Sequence, residues 1–397
     1  MTMPAPAYQG SVWGAAARYA MGGFFLSGLL MAFLGAMLPA WGFHVQSNYT
    51  RIGFYFLSFN AGLILSAPLA QYLLGRKGLR FLITLACILA ASSILYLAVV
   101  TPPARHLLRI AGLFVLGASA GILNLASFTA MSPVYRRDPA AAVNLGGLMF
   151  TFGSLIAALL VSGTFYIYTT GAILILMAVL PSYLAIFYAR SKWKSEPAPP
   201  HVPLKQAVSE FRNLAAILFA MLLFFQFGNE WVIAGWLPLF LTQRLGVSPA
   251  NSLLLLALYW LALLVGRILM QAVLLRTGHG KVLMGSVISA MMGCFILSFT
   301  DNVFGAGTAL LMTGGGFAAI YPLVVERIGS RFPAYHPGLF NGLFSIAVTG
   351  GMLASASVGF WAELFGVRVA MWLPLAGSIA VFVLSVLIWL EAKLTQV

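Results

Sequence analysis

Long apolar stretches alternate with short polar segments along the whole chain. Twelve stretches are about twenty residues long, which is the length a helix needs to cross the hydrocarbon core of a bilayer. We number them as spans one to twelve: 18–43, 52–74, 79–100, 107–131, 141–163, 166–189, 213–242, 250–275, 281–299, 303–325, 338–362 and 367–390. Because lipid offers no partner to backbone polar groups, each stretch predicts a transmembrane helix. The pattern predicts an all-α membrane protein with twelve transmembrane helices.

The composition favours a surface that faces lipid. Of the 397 residues, 61% are hydrophobic and 8% are charged, too few charges for a soluble protein of this length. The net charge of +14 would suit nucleic acid, but the basic residues punctuate apolar stretches and form no single patch. We therefore expect membrane lipids around the chain and exclude nucleic acid as a partner.

Lysine and arginine set the orientation. With the N-terminus inside, 16 basic residues fall in cytoplasmic segments and 5 outside, with Arg267 left within a span. The outside residues are Arg51, Arg105, Arg109, Arg244 and Arg368. An even number of spans then places both termini in the cytoplasm. We expect an integral protein of the bacterial inner (plasma) membrane.

The chain divides into two halves. Residues 190–212 are the longest polar interruption and contain the run Glu196-Pro197-Ala198-Pro199-Pro200, which is typical of a linker. We expect one six-helix bundle in residues 1–189, a cytoplasmic linker in 190–212, and a second bundle in 213–397.

Short matches between the halves recur at an offset of about 200 residues. Leu38-Pro39 corresponds to Leu237-Pro238, Asn144 to Asn341, and Gly153 to Gly350. Such an internal repeat predicts two pseudo-symmetric halves, as in a duplicated transporter.

The twelve spans, the central linker and the basic turn Gly75-Arg76-Lys77-Gly78-Leu79-Arg80 resemble the major facilitator superfamily over essentially the whole chain. Further stretches resemble its fucose-permease-like branch of sugar:proton symporters. These are Gly117–Asn124, Asn144–Gly153, Gly228-Asn229-Glu230 with Gly235–Pro238, Tyr259-Trp260 and Gly266-Arg267. The resemblance implies that family's fold and alternating access. It also implies carboxylates in spans one and four, but the corresponding positions hold Gly35 and Ala120.

Glu230 is the acidic residue that we place near mid-membrane. A charge there is costly unless it is paired or faces water, so we predict a substrate contact or a proton-coupling group. The alternative is a structural ion pair with Arg267 of span eight. For Arg267 itself we favour a gate or structural role over binding of an anionic substrate.

A polar face of span seven predicts the substrate site. Gln226, Asn229 and Glu230 share one helical face with Ile233, and lipid would leave their polar groups without partners. A sugar needs such groups for its hydroxyls and aromatic rings for its C–H face. As further contacts we predict Asn124, Tyr259, Trp260, Asn60 and Phe56. Core or lipid-facing packing is the alternative for each aromatic residue.

Asn144 and Asn341 occupy matching positions near the cytoplasmic ends of spans five and eleven. We predict helix-end hydrogen bonding at an inner gate for both. Cys87 and Cys294 have no ligand-like spacing to other cysteines or histidines, so we expect no metal, and nothing calls for a cofactor.

Together these observations predict a secondary transporter, not an enzyme, that moves a small polar solute by alternating access. The expected substrate is a sugar or polyol, moved by facilitation or with protons, and we expect a monomer. One alternative is an exporter of amphipathic compounds or drugs. Another is a membrane receptor or membrane enzyme without transport, against which no catalytic constellation lies in the spans.

Overall fold

The computed structural model describes residues 15–45, 47–137, 139–191, 213–274, 276–332 and 337–394. These residues form long helices joined by short turns. The helices of the first half are α1 (Ala15–Ala40), a broken helix Tyr49–Val99, α4 (His106–Arg137), α5 (Pro139–Thr164) and α6 (Thr170–Arg190). Those of the second half are α7 (Leu214–Leu245), α8 (Pro249–Leu274), α9 (His279–Phe299), α10 (Val303–Arg331), α11 (Pro337–Phe365) and α12 (Val369–Leu394).

The broken helix Tyr49–Val99 crosses the bundle twice. Gly78 has φ 79° and ψ 172°, a conformation that glycine adopts without strain. Ser58 donates to the carbonyl of Ile110 at 2.8 Å, and Leu97 packs against Gly112, two residues further along α4. In a straight helix Ser58 and Leu97 would lie about 58 Å apart, so the chain must reverse at Gly78. We label the two arms α2 (residues 49–77) and α3 (residues 79–99), and the twelve predicted spans are all present.

Side chains at the helix ends explain where several helices begin. The side chains of Asn48, Thr169, Asn213 and Asn302 accept hydrogen bonds from backbone amides of the first turns of α2, α6, α7 and α10, as capping residues do. Helix α7 ends at Gly246, which has φ 65°, the left-handed cap that favours glycine. Helix lengths are therefore set by polar residues at their ends as well as by apolar content.

The two halves share one packing pattern. In each half the first helix packs on the fifth, the second on the fourth, and the third on the sixth. In the first half these pairs are α1 with α5, α2 with α4, and α3 with α6. In the second half they are α7 with α11, α8 with α10, and α9 with α12. The expected pseudo-symmetry is therefore present in the contacts. Residues 192–212 of the predicted linker lie outside the described residues.

Matched glycines support the same repeat at atomic detail. A Cβ atom on Gly153 would lie 1.9 Å from the carbonyl oxygen of Phe25 on α1, and one on Gly350 would lie 2.1 Å from that of Phe224 on α7. Glycine at both positions lets the first and fifth helices of each half touch through their backbones. The correspondence between Gly153 and Gly350 is confirmed.

Most helices expose large apolar side chains on one side, among them Phe54, Leu65, Ile175, Val265 and Phe304. Such a surface is expected where a protein faces lipid. We call the end of the bundle that holds the first residues of α1 the terminal end. The opposite end, where α1 ends and α2 begins, is the distal end.

Candidate functional site

A small cavity lies between the two halves. Its volume is about 30 Å³, room for one or two water molecules, so the structure shows a contracted state of the site. Helices α1, α2 and α5 of the first half line it together with α7, α8 and α11 of the second. The lining residues are Met31, Leu34, Phe56, Phe59, Asn60, Phe150, Glu230, Trp231, Ala234, Gly235, Trp260 and Ser355.

The lining combines aromatic rings with three polar side chains. Asn60 comes from the first half, and Glu230 and Ser355 come from the second. The rings of Phe150 and Trp260 meet edge to face across the interface, with their centroids 6.4 Å apart. The indole nitrogen of Trp260 has no hydrogen-bond partner among the described residues. A ligand here would meet apolar ring faces and a few polar groups, as is usual for small-molecule sites.

The side chain of Glu230 is positioned by a residue of its own helix. The side-chain amide of Gln226, one turn earlier on α7, donates to a Glu230 carboxylate oxygen at 2.8 Å. Gln226 is fully buried and Glu230 is half-buried against the cavity. One carboxylate oxygen is thus positioned by Gln226, and no described hydrogen bond occupies the other. The carboxylate can accept hydrogen bonds from a polar ligand.

Arg267 lies at the contact between α8 and α5, on opposite sides of the two-half interface. It is 5% exposed, and its Nη1 atom lies only 1.3 Å from where a Cβ on Gly147 would be. The side-chain amide of Asn144 donates to the Arg267 carbonyl at 3.4 Å. Asn144 and Arg267 therefore connect α5 of the first half with α8 of the second.

Glu230 and Arg267 act on each other through their charges. They are not among the ion pairs of the described residues, however, all of which lie elsewhere. The predicted structural ion pair is therefore not in direct contact in this state. Two opposite charges are buried near each other, with neither neutralised by a salt bridge.

The distal end of the interface is closed by α2 and α11. A Cβ on Gly359 would lie 2.6 Å from both the Gly53 Cα and the Tyr49 carbonyl oxygen. Below this contact, Asn60 donates to the Ser355 hydroxyl at 3.2 Å, and the Trp236 indole donates to the Ser355 carbonyl at 2.9 Å. Backbone contact between two glycines and polar bonds beneath it seal this side of the cavity.

Helices α1 and α7 close the distal end in a similar way. A Cβ on Gly35 would lie 2.0 Å from the Ala234 carbonyl oxygen. The Tyr49 hydroxyl donates to the Gln243 side chain at 2.7 Å, and Gln243 in turn donates to the hydroxyl of Ser47. These contacts also cross between the halves.

On the side toward the terminal end, aromatic rings bridge the halves. Phe24 and Phe128 of the first half lie 5.0 Å apart between ring centroids, and Phe128 lies 5.4 Å from Phe344 of the second. Phe227 extends the row from Phe344 to Tyr321, at 6.0 and 5.2 Å. Side chains, unlike the backbone contacts of the distal end, can separate by changing rotamer. This side is the more easily opened of the two.

Asn229 is not on the cavity side of α7. A Cβ on Gly377 of α12 would lie 2.0 Å from the Asn229 side-chain oxygen, so the amide packs against α12 inside the second half. The cavity face of α7 is instead formed by Glu230, Trp231, Ala234 and Gly235. The lining face of α7 is therefore rotated from the expected one, because the side chain of Asn229 packs beside Gly377, where its amide nitrogen has no hydrogen-bond partner among the described residues.

Other predicted contacts lie around the cavity without lining it. Asn124 accepts a hydrogen bond from Ser27 at 2.6 Å, which ties α4 to α1. Tyr259 is fully buried, and its hydroxyl has no hydrogen-bond partner among the described residues. The side chain of Asn341 lies outside the described residues. Phe56, Asn60, Glu230 and Trp260 are the predicted contacts that the cavity brings together.

Met31, Phe150, Trp231 and Ser355 line the cavity and were not predicted. Trp231 follows Glu230 directly and shares its helix face with Ala234. A lining face predicted one residue further along α7 would have included Trp231. Ser355 lies on α11 one turn after Gly351, and its single hydroxyl gives no pattern of its own. Its role depends on the packing of α2 against α11, which no local signal contains.

The model of the Major Facilitator Superfamily matches residues 20–356 of the chain. The chain belongs to the Major Facilitator Superfamily. It is therefore a membrane transporter and not an enzyme.

Relatives within the Major Facilitator Superfamily match nearly the whole chain. An uncharacterised transporter of the superfamily from Yersinia pestis is 23% identical and covers 91% of this chain and 92% of its own. A glucose/galactose transporter of Brucella abortus is 24% identical and covers 89% of each.

Solved structures support the fold. The E. coli fucose:proton symporter is 16% identical, covers 94% of this chain and 98% of its own, and has a TM-score of 0.64. A D-xylose–proton symporter is also 16% identical, covers 94% and 96%, and has a TM-score of 0.70. At such identities the similarity concerns the fold.

The resemblance to sugar:proton symporters implies a carboxylate at the position of Gly35. In this structure the Gly35 Cα faces the backbone of Ala234 and Gly235 on α7. No side chain fits there in this state. Ala120, at the second such position, is fully buried in α4. Neither helix offers a carboxylate at these points.

Proposed function

We propose that this transporter moves a sugar or similar polyol across the membrane by alternating access, alone or together with protons. The observation that carries the proposal is the composition of the central cavity. Asn60, Glu230 and Ser355 can bond hydroxyl groups, and the faces of Phe56 and Trp260 can cover the C–H face of a sugar ring. The similarity to a glucose/galactose transporter and to fucose and xylose symporters supports the same substrate class.

Alternating access follows from how the halves touch. Binding a solute would require the cavity to expand, and the aromatic row at the terminal end can separate more easily than the glycine contacts at the distal end. The two halves would then rock about the cavity and expose it to each side in turn.

Uptake into proteoliposomes tests this proposal. The purified protein should take up at least one radiolabelled hexose, pentose or deoxysugar faster than empty liposomes, and unlabelled substrate should compete. Comparing vesicles with and without an imposed pH gradient separates facilitation from proton coupling. Absence of uptake across such a panel, by protein that is folded by thermal melting, would contradict the proposal.

A second candidate is an exporter of amphipathic compounds. The observation in its favour is that nine of the cavity residues are apolar or glycine, whereas three are polar. Aromatic rings around one carboxylate also suit an organic cation. Quenching of tryptophan fluorescence by a cationic aromatic amine, without any effect of sugars, would favour this candidate.

Orientation is part of the proposal, and we expect the terminal end to face the cytoplasm. A cysteine introduced at Ser195, in the predicted linker, should react with a membrane-impermeant maleimide only from the cytoplasmic side. One introduced at Asn302, at the distal end before α10, should react only from the outside. The native Cys87 and Cys294 are buried and should stay unlabelled. Labelling of both introduced cysteines from one side would overturn the orientation.

A further inference from the structure

A buried arginine lies at the distal end of the first half, away from the central cavity. The charge pattern predicts that Arg109 lies in an outside segment. The structure places it in the first turn of α4 with 4% of its surface exposed, so its guanidinium lies inside the helix bundle. A buried guanidinium is costly unless its charge and its N–H groups are compensated.

Two aromatic rings compensate part of the charge. The guanidinium carbon of Arg109 lies 5.9 Å from the ring of Trp41 and 5.7 Å from the ring of Tyr55, within the range of cation–π attraction. The two rings lie 5.9 Å from each other, so the three groups form a triangle. A cation–π contact involves the faces of the rings, however. It gives the N–H groups in the guanidinium plane no hydrogen-bond acceptor.

The polar atoms of this triangle remain without hydrogen-bond partners among the described residues. They are Arg109 Nε and Nη1, the Trp41 indole nitrogen and the Tyr55 hydroxyl. Trp41 is 5% exposed and Tyr55 is fully buried. Arg109 also makes one long bond, from Nη2 to the Ala104 carbonyl at 3.4 Å. Four polar atoms that can donate hydrogen bonds thus belong to one cluster of three side chains, from which bulk water is largely excluded.

No carboxylate of the described residues pairs with Arg109. The described acidic residues have their own partners elsewhere: Glu230 with Gln226, Asp301 with Arg244, Glu326 with His279, Glu363 with Thr50, and Glu391 with Arg331. The next charge to act on Tyr55 is that of Arg51, which is also positive. The cluster of Arg109, Trp41 and Tyr55 therefore carries a positive charge that no described carboxylate neutralises.

We propose that Arg109, Trp41 and Tyr55 form a binding site for a small monovalent anion of the size of chloride. Three of the four donor atoms can only donate and the hydroxyl of Tyr55 can do so, which selects a ligand that accepts several hydrogen bonds. One water molecule accepts only two. The rings of Phe33 and Phe43 pack against Trp41 and Tyr55, and this close wall favours a small ion over a large organic anion.

The site joins three helices at the end of the bundle that closes the transport path. Trp41 follows α1, Tyr55 lies on α2 two residues after Gly53, and Arg109 lies in the first turn of α4. A bound anion would hold these helix ends together and so stabilise the first half. This consequence does not depend on which solute the central cavity binds.

Thermal melting of the purified full-length protein tests the site. We expect the apparent melting temperature to be higher in sodium chloride than in sodium gluconate at the same ionic strength, by on the order of a few degrees and saturably. Bromide should act like chloride, and sulfate should not. The shift should be lost in Arg109→Gln and kept in the control Arg368→Gln, which removes an exposed arginine of the second half.

Two milder variants serve if Arg109→Gln does not fold. Trp41→Phe and Tyr55→Phe each keep an aromatic ring and remove one donor. Each should raise the chloride concentration for the half-maximal shift about five- to tenfold, the usual effect of one hydrogen bond. A melting temperature that is equal in chloride and gluconate, or a shift that is unchanged in all three variants, would show that ordered water alone fills these donors and would overturn the proposal.

Discussion

Replacing Gly359 with leucine should reduce transport by about 10- to 100-fold while the protein still folds. Gly359 of α11 touches the backbone of α2, where its Cβ would lie 2.6 Å from the Gly53 Cα and 2.7 Å from the Gly53 nitrogen. Backbone atoms cannot turn away as a side chain can, so the new side chain must separate the helices. Overpacking of this kind costs about 1–3 kcal/mol, and all of that cost falls on the state with a closed distal end. The fraction of molecules that can close falls accordingly.

Initial uptake rates in proteoliposomes measure this effect. Gly285→Leu is a matched control, because Gly285 of α9 is exposed and has no atom within 4 Å of a Cβ position. It should transport normally. A disulfide engineered between Thr50→Cys and Glu363→Cys, which contact each other at this closure, should form readily in the parent and poorly with Gly359→Leu. Normal transport by Gly359→Leu would mean that α2 and α11 do not form a necessary closed state.

The positions of the helices follow from the sequence because lipid imposes them. Each span has to be apolar over about twenty residues, and that requirement is local and visible. The break at Gly78 was equally readable, since a basic turn separates two apolar stretches there. The pairing of helices was visible only through glycines such as Gly153 and Gly350, whose spacing repeats between the halves.

The lining of the cavity was less predictable because it depends on helix rotation. A rotation of α7 by one residue, about 100°, decides whether Asn229 or Trp231 meets the cavity. That rotation is set by Gly377 on α12, more than 140 residues later in the chain. The burial of Arg109 was hard to predict for a related reason: its charge suggested contact with water, whereas two aromatic rings, one on α2 and one directly after α1, accommodate it inside the bundle.

Changing Glu230 to glutamine should weaken substrate binding by about 10-fold or more, in exchange as well as in net uptake. Glu230 faces the cavity, and Gln226 fixes one of its carboxylate oxygens at 2.8 Å. A hydrogen bond to a charged acceptor is worth about 1.5–3 kcal/mol. Glutamine keeps the size of the side chain and removes the charge. Substrate affinity, measured by binding to the purified protein and by concentration dependence of uptake, should fall while expression stays near normal.

Two other roles of Glu230 give different results. If it couples transport to protons, Glu230→Gln should lose accumulation driven by a pH gradient but retain exchange and downhill flux at unchanged affinity. If it is a structural partner of Arg267, the variant should melt at a lower temperature, because a buried arginine would lose its opposite charge. Combining it with Arg267→Gln should then restore the melting temperature.

The arrangement of the two charges favours substrate contact over structural pairing. Arg267 packs against Gly147 on α5 and is not joined to Glu230 by a salt bridge, so the two charges interact in this state without direct contact. We therefore expect Glu230→Gln to melt within a few degrees of the parent, and the double variant with Arg267→Gln to recover no binding. Gln226→Ala, which frees the carboxylate without removing it, should weaken binding less than Glu230→Gln. Unchanged affinity, accumulation and melting in Glu230→Gln would remove this residue from the mechanism.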